Sequence, residues 1–250
     1  MQKIHHYLEK IRTFVKNNFY SRLRLSTPSA VIIGSVLISL SIVAHGFIMQ
    51  GSSTAGAAAL FTGRAVDATD YIEGEKNSNV VLVEYSDPEC PYCISVHPTI
   101  KQLRNDYRNK VAFVYRHFPL TQIHPHAFDE SKAITCAGTL GGEKKMYEYI
   151  DALYGFKIDH QTTQLPTNGK EDIARGVGLD SQAFTNCINA AQTGDTVNNS
   201  INDGLQAGVQ GTPSSFVLIK TKKGYEVVAM IDGARDYTYF QAAIDEALQR

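Results

Sequence analysis

Two cysteines separated by two residues, Cys90 and Cys93, are the residues of this 250-residue sequence whose types and spacing most directly suggest chemistry. Such a pair can bind a metal, form a structural disulfide or exchange electrons with other thiols. A structural zinc site needs four ligands, and the sequence has neither a second close cysteine pair nor histidines at the usual spacing. A disulfide within the pair would close a very short loop, so it would constrain little of the unfolded chain and stabilise the fold little.

The position of the pair favours redox chemistry. It follows "VVLVEY" (80–85), an apolar run typical of a strand buried on both faces, and it precedes apolar residues at helical spacing. A helix N-terminus favours a thiolate, so we expect the pKa of Cys90 to lie below the ordinary value of about 8.5. We expect Cys90 to be the accessible, reactive cysteine. Cys93, one turn later, is expected to be shielded and to resolve a mixed disulfide formed at Cys90.

The elements that must hold this pair follow from the pattern around it. A second strand is predicted at 111–120, and a mostly helical block runs from about 124 to 206. Two more strands follow, joined by a hairpin at 222–224, and Asp236 is predicted to cap a last helix. The order is β-α-β, a helical block, then β-β-α. It predicts an α/β protein with a thioredoxin fold and a helical insertion.

Charge is distributed unevenly along the chain. The formal net charge is only −1, which gives no indication of nucleic-acid binding. Residues 1–28 form a basic segment, whereas no Asp, Glu, Lys or Arg lies between Arg24 and Arg64. The apolar core of that interval, within 29–50, spans roughly 30 Å as a helix, which is the thickness of a bilayer core.

This apolar segment predicts a transmembrane helix with the basic N-terminus in the cytoplasm, following the positive-inside rule. A cleaved signal peptide is the alternative, because "STAGAAA" (53–59) offers small-residue cleavage sites. The long basic segment ahead of the apolar run favours an uncleaved anchor. Residues 51–65 are predicted to form a linker, and 66–250 a domain in an oxidising compartment outside the cytoplasm.

Several motifs of this domain resemble those of the DsbA-like branch of the thioredoxin superfamily. They are "VEYSDPECPYC", "HPTIKQL", "YRHFPL", "IHPHA" and "GVQGTPSSFV", and the similarity covers about 80–250. The helical insertion is also a hallmark of that branch. The dipeptide Pro91-Tyr92 departs from the Pro-His of the strongest oxidants, so the redox poise does not follow from the resemblance.

The resemblance implies roles for further residues. Glu84 stands six residues before Cys90, where the superfamily keeps a buried carboxylate that exchanges a proton with Cys93. Thr212-Pro213 matches the cis-proline loop, which pairs with an extended substrate segment. Related insertions often carry a disulfide, which implies one between Cys136 and Cys187; two buried free thiols are the alternative.

These features predict a membrane-anchored thiol:disulfide oxidoreductase that oxidises cysteines of exported client proteins. A quinone-linked thiol oxidase of the membrane would reset the pair. The cysteines are the redox group, and neither a metal nor a soluble cofactor is expected. The alternatives are a reductase or isomerase fed by a membrane electron donor, and a non-catalytic module that binds peptides.

Overall fold

The computed structural model describes residues 59–250 of the chain. The predicted basic segment 1–28 and membrane segment 29–50 lie outside the described residues, as does most of the predicted linker. Among the helices of 59–250, none is long and apolar enough to cross a membrane.

Residues 59–250 form five strands and six helices. The strands are β1 (Ile72–Gly74), β2 (Val80–Ser86), β3 (Ala112–His117), β4 (Ser214–Thr221) and β5 (Gly224–Asp232). The helices are α1 (Pro91–Asp106), α2 (Ala127–Asp159), α3 (Gly169–Gly176), α4 (Ser181–Asn189), α5 (Ala191–Gln206) and α6 (Tyr237–Gln249).

The strands make one mixed sheet in the order β1-β3-β2-β4-β5. β2 and β3 are parallel, and the other neighbours are antiparallel. Helices α2 to α5 fall between β3 and β4. The prediction of a thioredoxin fold with a helical insertion is therefore confirmed for the described residues.

β2 lies at the centre of the sheet, and all seven of its residues are buried. Its alternate side chains enter two different apolar cores. Leu82 packs on one face of the sheet with α1 and α6, and Val83 packs on the other face with β3 and β4. This double burial explains the nearly unbroken apolar run. β2 ends at Ser86, four residues before Cys90.

Two details were not predicted from the sequence. The first is the short strand β1, which pairs antiparallel with β3 at the edge of the sheet. Helix α2 has a kink at Gly142, whose φ of 71° lies in the region that favours glycine.

Candidate active site

Cys90 is the N-cap residue of α1, and Pro91 occupies the first helical position. Proline suits that position because its missing N–H would have no partner within the helix. No side chain caps this helix end. The free N–H groups of the first turn therefore stay available to a sulfur at Cys90.

Both cysteines of the pair are free thiols in this structure. Cys90 has an exposed fraction of 3%, and Cys93 of 0%. Both cysteines are therefore buried, and the expectation of an accessible Cys90 does not hold in this structure, because its Sγ lies against the Thr212 carbonyl. By contrast, the side chain of Tyr92 between them is 65% exposed.

The surroundings move the two thiol pKa values in opposite directions. The pKa of Cys90 is lowered to about 6, chiefly by a hydrogen bond from the Cys93 thiol. Burial alone would raise this pKa, but the Thr212 hydroxyl and the backbone N–H groups of the first helical turn also lower it. Burial raises the pKa of Cys93 well above its ordinary value, and the neighbouring Cys90 and Glu84 raise it further. At neutral pH the pair is therefore a thiolate at Cys90 and a thiol at Cys93.

The loop before β4 faces the pair. Its Thr212–Pro213 peptide bond is cis, and Cys90 Sγ lies 3.3 Å from the Thr212 carbonyl oxygen. A groove of about 500 Å³ runs beside this loop, with Gly211, Pro213 and Met230 among its lining residues. Thr212, whose carbonyl contacts Cys90 Sγ, lines the groove as well.

The acidic residues of the loop between β2 and α1 were not predicted as part of the site. Asp87 is fully buried, and its carboxylate accepts hydrogen bonds from the backbone N–H groups of Cys90 (3.2 Å) and Leu120 (2.7 Å). Its own N–H donates to Cys93 Sγ over 3.4 Å. The Glu89 carboxylate accepts from the His126 N–H (2.6 Å). These contacts hold the segment after β3 against the cysteine loop.

Glu84 lies on β2 within the core rather than at a solvent-facing edge. Its exposed fraction is 6%, and burial raises the pKa of its carboxyl to about 7. It contributes to the raised pKa of Cys93. A carboxyl with a pKa near neutrality can both donate and accept a proton at the operating pH.

Cys136 and Cys187 form a disulfide that joins α2 to α4 within the helical insertion, with a Cα–Cα distance of 5.8 Å. It belongs to the apolar core of the insertion.

Two further buried groups near the pair were missed by the sequence analysis. His97 follows Cys93 by one helical turn. Lys157 on α2 forms an ion pair with Glu130 over 2.5 Å and donates to the Pro88 carbonyl oxygen over 2.9 Å. The spacing of His97 from Cys93 was a usable signal, whereas nothing around Lys157 in the sequence indicates burial.

No cluster of three or more His, Cys, Asp or Glu side chains within the described part of the chain is arranged to hold a metal ion.

Comparison with known proteins gives a consistent result. A family model described as Thioredoxin matches residues 66–246. The structure of the thiol-disulfide exchange protein alpha-DsbA2 from Wolbachia pipientis superposes with a TM-score of 0.57 at 25% identity, over 72% of this chain and 88% of that one. A Rickettsia felis protein named as a protein-disulfide oxidoreductase is 30% identical over 157 residues, which are 61% of this chain and 54% of that protein.

Another relative is much longer than this chain. The Na(+)/H(+) antiporter NhaA 1 of Mycobacterium sp. (strain KMS) is 30% identical over 157 residues, which are 62% of this chain. The matched part amounts to about a quarter (24%) of the antiporter's own length.

Proposed function

This chain belongs to the thioredoxin family, whose model matches residues 66–246, and we propose that it is a membrane-anchored, extracytoplasmic enzyme that oxidises cysteines of exported proteins. Its reaction class is that of the DsbA-type thiol:disulfide oxidoreductases, as the names of the Wolbachia pipientis and Rickettsia felis proteins suggest for those two relatives. No transport activity is proposed, because the similarity covers only a small part of the antiporter relatives.

The observation that carries the proposal is the opposite shift of the two thiol pKa values beside Thr212-Pro213. A disulfide is a strong oxidant when its reduced form is stabilised. Here the reduced form is stabilised as a thiolate at Cys90, hydrogen-bonded by the Cys93 thiol. The non-catalytic peptide-binding alternative gives no reason for this arrangement.

The reaction proceeds in two exchanges. A client thiolate attacks Cys90 Sγ, the Cys90–Cys93 bond breaks, and Cys93 leaves as a thiolate that takes up a proton. A second client thiolate then attacks the client sulfur of the mixed disulfide, and Cys90 leaves as the stabilised thiolate. The client gains one disulfide, and two electrons pass to the cysteine pair.

Each step has a residue suited to it. Cys90 is the better leaving group because its thiol has the lower pKa. Glu84 is the acid placed to protonate Cys93. The Thr212-Pro213 loop holds the client segment beside Cys90. We propose that a quinone-linked thiol oxidase of the membrane accepts the electrons and restores the disulfide.

A reductase or isomerase fed by a membrane electron donor is the second candidate. It uses the same residues but requires a more reducing pair. The reduction potential therefore decides between the oxidase and the reductase or isomerase. We expect the side chain of Tyr92 to have a large influence on this potential. We expect a potential between those of DsbA and thioredoxin, about −120 and about −270 mV.

Replacing Tyr92 with histidine should make the pair more oxidising. An imidazolium beside Cys90 adds positive charge near the thiolate, whereas tyrosine offers at most a hydrogen bond. We expect the equilibrium constant with glutathione to shift about tenfold, which corresponds to about 30 mV. Equilibration of the full-length protein in glutathione buffers measures this shift.

Tyr92→Phe is the matched control, because it removes the hydroxyl and adds no charge. We expect it to stay within about twofold of the wild type. An unchanged potential in Tyr92→His would show that this dipeptide does not set the poise. A wild-type potential near that of thioredoxin would favour the reductase.

The membrane location has a separate test. Protease added outside intact cells should remove the domain that carries the cysteines and leave the basic N-terminal segment inside, because six Lys and Arg residues against one Glu hold residues 1–25 in the cytoplasm. Immunoblots against each end of the chain, with a cytoplasmic marker protein as the control, measure this. Protection of the whole chain would refute the proposed topology.

A further inference from the structure

The Glu84 carboxyl is separated from the solvent by the protein around it. It lies on the central strand with an exposed fraction of 6%. If it protonates Cys93 in each turnover, it must recover that proton from the solvent in each turnover as well. A route for the proton is therefore needed between Glu84 and the surface.

A small cavity lies beside Glu84. Its volume is about 10 Å³, which leaves room for about one water molecule. Glu84 and His97 both line it, together with Arg104, Tyr115 and Tyr147. The carboxyl and the imidazole therefore border the same small space.

His97 is placed between this cavity and the surface. Cys93 and His97 are four residues apart on α1, so they occupy the same helix face. The imidazole packs against the Tyr154 ring at 4.6 Å between ring centroids. Its Nε2 lies 3.1 Å from Oδ1 of Asp151, at an angle that makes no well-formed hydrogen bond. Buried polar atoms without a hydrogen-bond partner are rare, and each one requires an explanation.

Asp151 forms the outer end of the route. Its side chain is 24% exposed, and it contacts Lys101 and Arg104 as well as His97. Although burial acts in the opposite direction, these three neighbours hold the pKa of the Asp151 carboxyl well below its ordinary value. Burial lowers the pKa of His97, so its imidazole is neutral at pH 7 and can take up a proton at one nitrogen while releasing one from the other.

The ionisable groups around His97 come from every element packed against it. They are Glu84 on β2, Cys93, Lys101 and Arg104 on α1, Tyr115 on β3, and Tyr147, Asp151 and Tyr154 on α2. Burial raises the pKa values of the three tyrosines, so these stay protonated. Glu84 and Cys93 are the groups of this set whose protonation changes in the reaction.

We propose that His97 is a positioning residue that passes protons between the buried Glu84 carboxyl and the solvent beside Asp151; the inference rests on the proposed function of the cysteine pair. When Cys93 leaves as a thiolate, it takes the Glu84 proton. Glu84 then takes a proton from one nitrogen of His97, either directly or through the cavity, as the other nitrogen takes up a proton from the solvent beside Asp151. The net change is one proton from solvent to the Cys93 sulfur, and no electrons move along this route.

The test is the pH dependence of a single turnover. Full-length protein with the Cys90–Cys93 disulfide is reduced by excess dithiothreitol in a stopped-flow instrument between about pH 5 and about pH 9. The quantity compared is the rate of His97→Phe divided by the wild-type rate, since this ratio cancels the ionisation of the reductant. Phenylalanine keeps a ring packed against Tyr154 and removes both nitrogens.

We expect the ratio to stay near one at about pH 5, where Glu84 holds its own proton, and to fall about tenfold above pH 7, where it does not. In a Glu84→Gln background the His97→Phe ratio should be near one throughout. His160→Gln, which changes an exposed histidine at the end of α2, is the matched control and should follow the wild type. If His97→Phe does not fold, His97→Gln serves in its place.

A ratio that is the same at every pH would show a purely structural role and overturn the proposal. So would a fall that persists in the Glu84→Gln background. The proposed function has a separate test, because the dithiothreitol reaction needs no client. Failure of the wild type to oxidise a dithiol peptide would refute the proposed function. The ratio of the two reduction rates would still decide the role of His97.

Discussion

Replacing Cys90 with alanine is expected to abolish disulfide exchange, with a loss on the order of 10⁴-fold or more, as for the removal of other catalytic nucleophiles. The reason is the thiolate at this position. With a pKa of about 6, Cys90 is mostly ionised at pH 7, whereas Cys93 stays protonated. The measurement is the rate at which the oxidised protein forms a disulfide in a dithiol peptide.

The matched variant Cys93→Ala should behave differently. Its Cys90 thiolate can still attack a client disulfide and form a mixed disulfide, but the pair has no second thiol to resolve it. Covalent complexes should therefore accumulate after acid quenching and alkylation, and mass spectrometry should place the client at Cys90. Complexes that form in Cys90→Ala and not in Cys93→Ala would reverse the two roles and refute the argument from the helix N-terminus.

The central part of the fold was predictable because its local signals agree with its tertiary environment. The apolar run of β2 indicates a strand that is buried on both faces, as it is in the structure. The Asp236 side chain caps α6 as expected and accepts a hydrogen bond from the Tyr239 N–H over 3.0 Å. β1 was missed because three residues carry no measurable periodicity. Its pairing depends on β3, which lies almost 40 residues further along the chain.

Some residues of the candidate site could likewise be predicted from the sequence, and others could not. The cysteine pair and the acidic residue in an otherwise apolar strand could be recognised from residue type and spacing. The contacts of Asp87 with Leu120, and of Glu89 with His126, could not, because they join segments that only the folded chain brings together. An Asp or Glu in a loop is ordinarily solvated, and the sequence carries no sign that these are buried.

Lys157 shows the same limit, because lysine in a helix is ordinarily exposed. In the structure its ammonium group is buried, paired with Glu130 and bonded to the Pro88 carbonyl in the cysteine loop. Burial lowers the pKa of Lys157 and raises that of Glu130, although each attracts the other. Burying each charge therefore costs desolvation free energy, and only the attraction to the oppositely charged partner offsets this cost.

Lys157→Met should destabilise the protein by about 3 to 5 kcal/mol at neutral pH, because it leaves the Glu130 carboxylate buried without its partner. The measurement is the free energy of unfolding in denaturant. Since the pKa of Glu130 is raised by burial, this carboxyl takes up a proton readily as the pH falls. The loss should therefore shrink towards acidic pH.

The double variant Lys157→Met/Glu130→Leu separates the ion pair from the packing around it. Removing both charges removes the unpaired carboxylate, so most of the lost stability should return, as in other buried pairs replaced by apolar residues. The hydrogen bond to the Pro88 carbonyl is absent from both variants. A decrease in the rate of disulfide exchange that both variants share would therefore show that this bond stabilises the cysteine loop. A loss below about 1 kcal/mol in Lys157→Met, or no recovery in the double variant, would show that the buried charges are not what stabilises this part of the insertion.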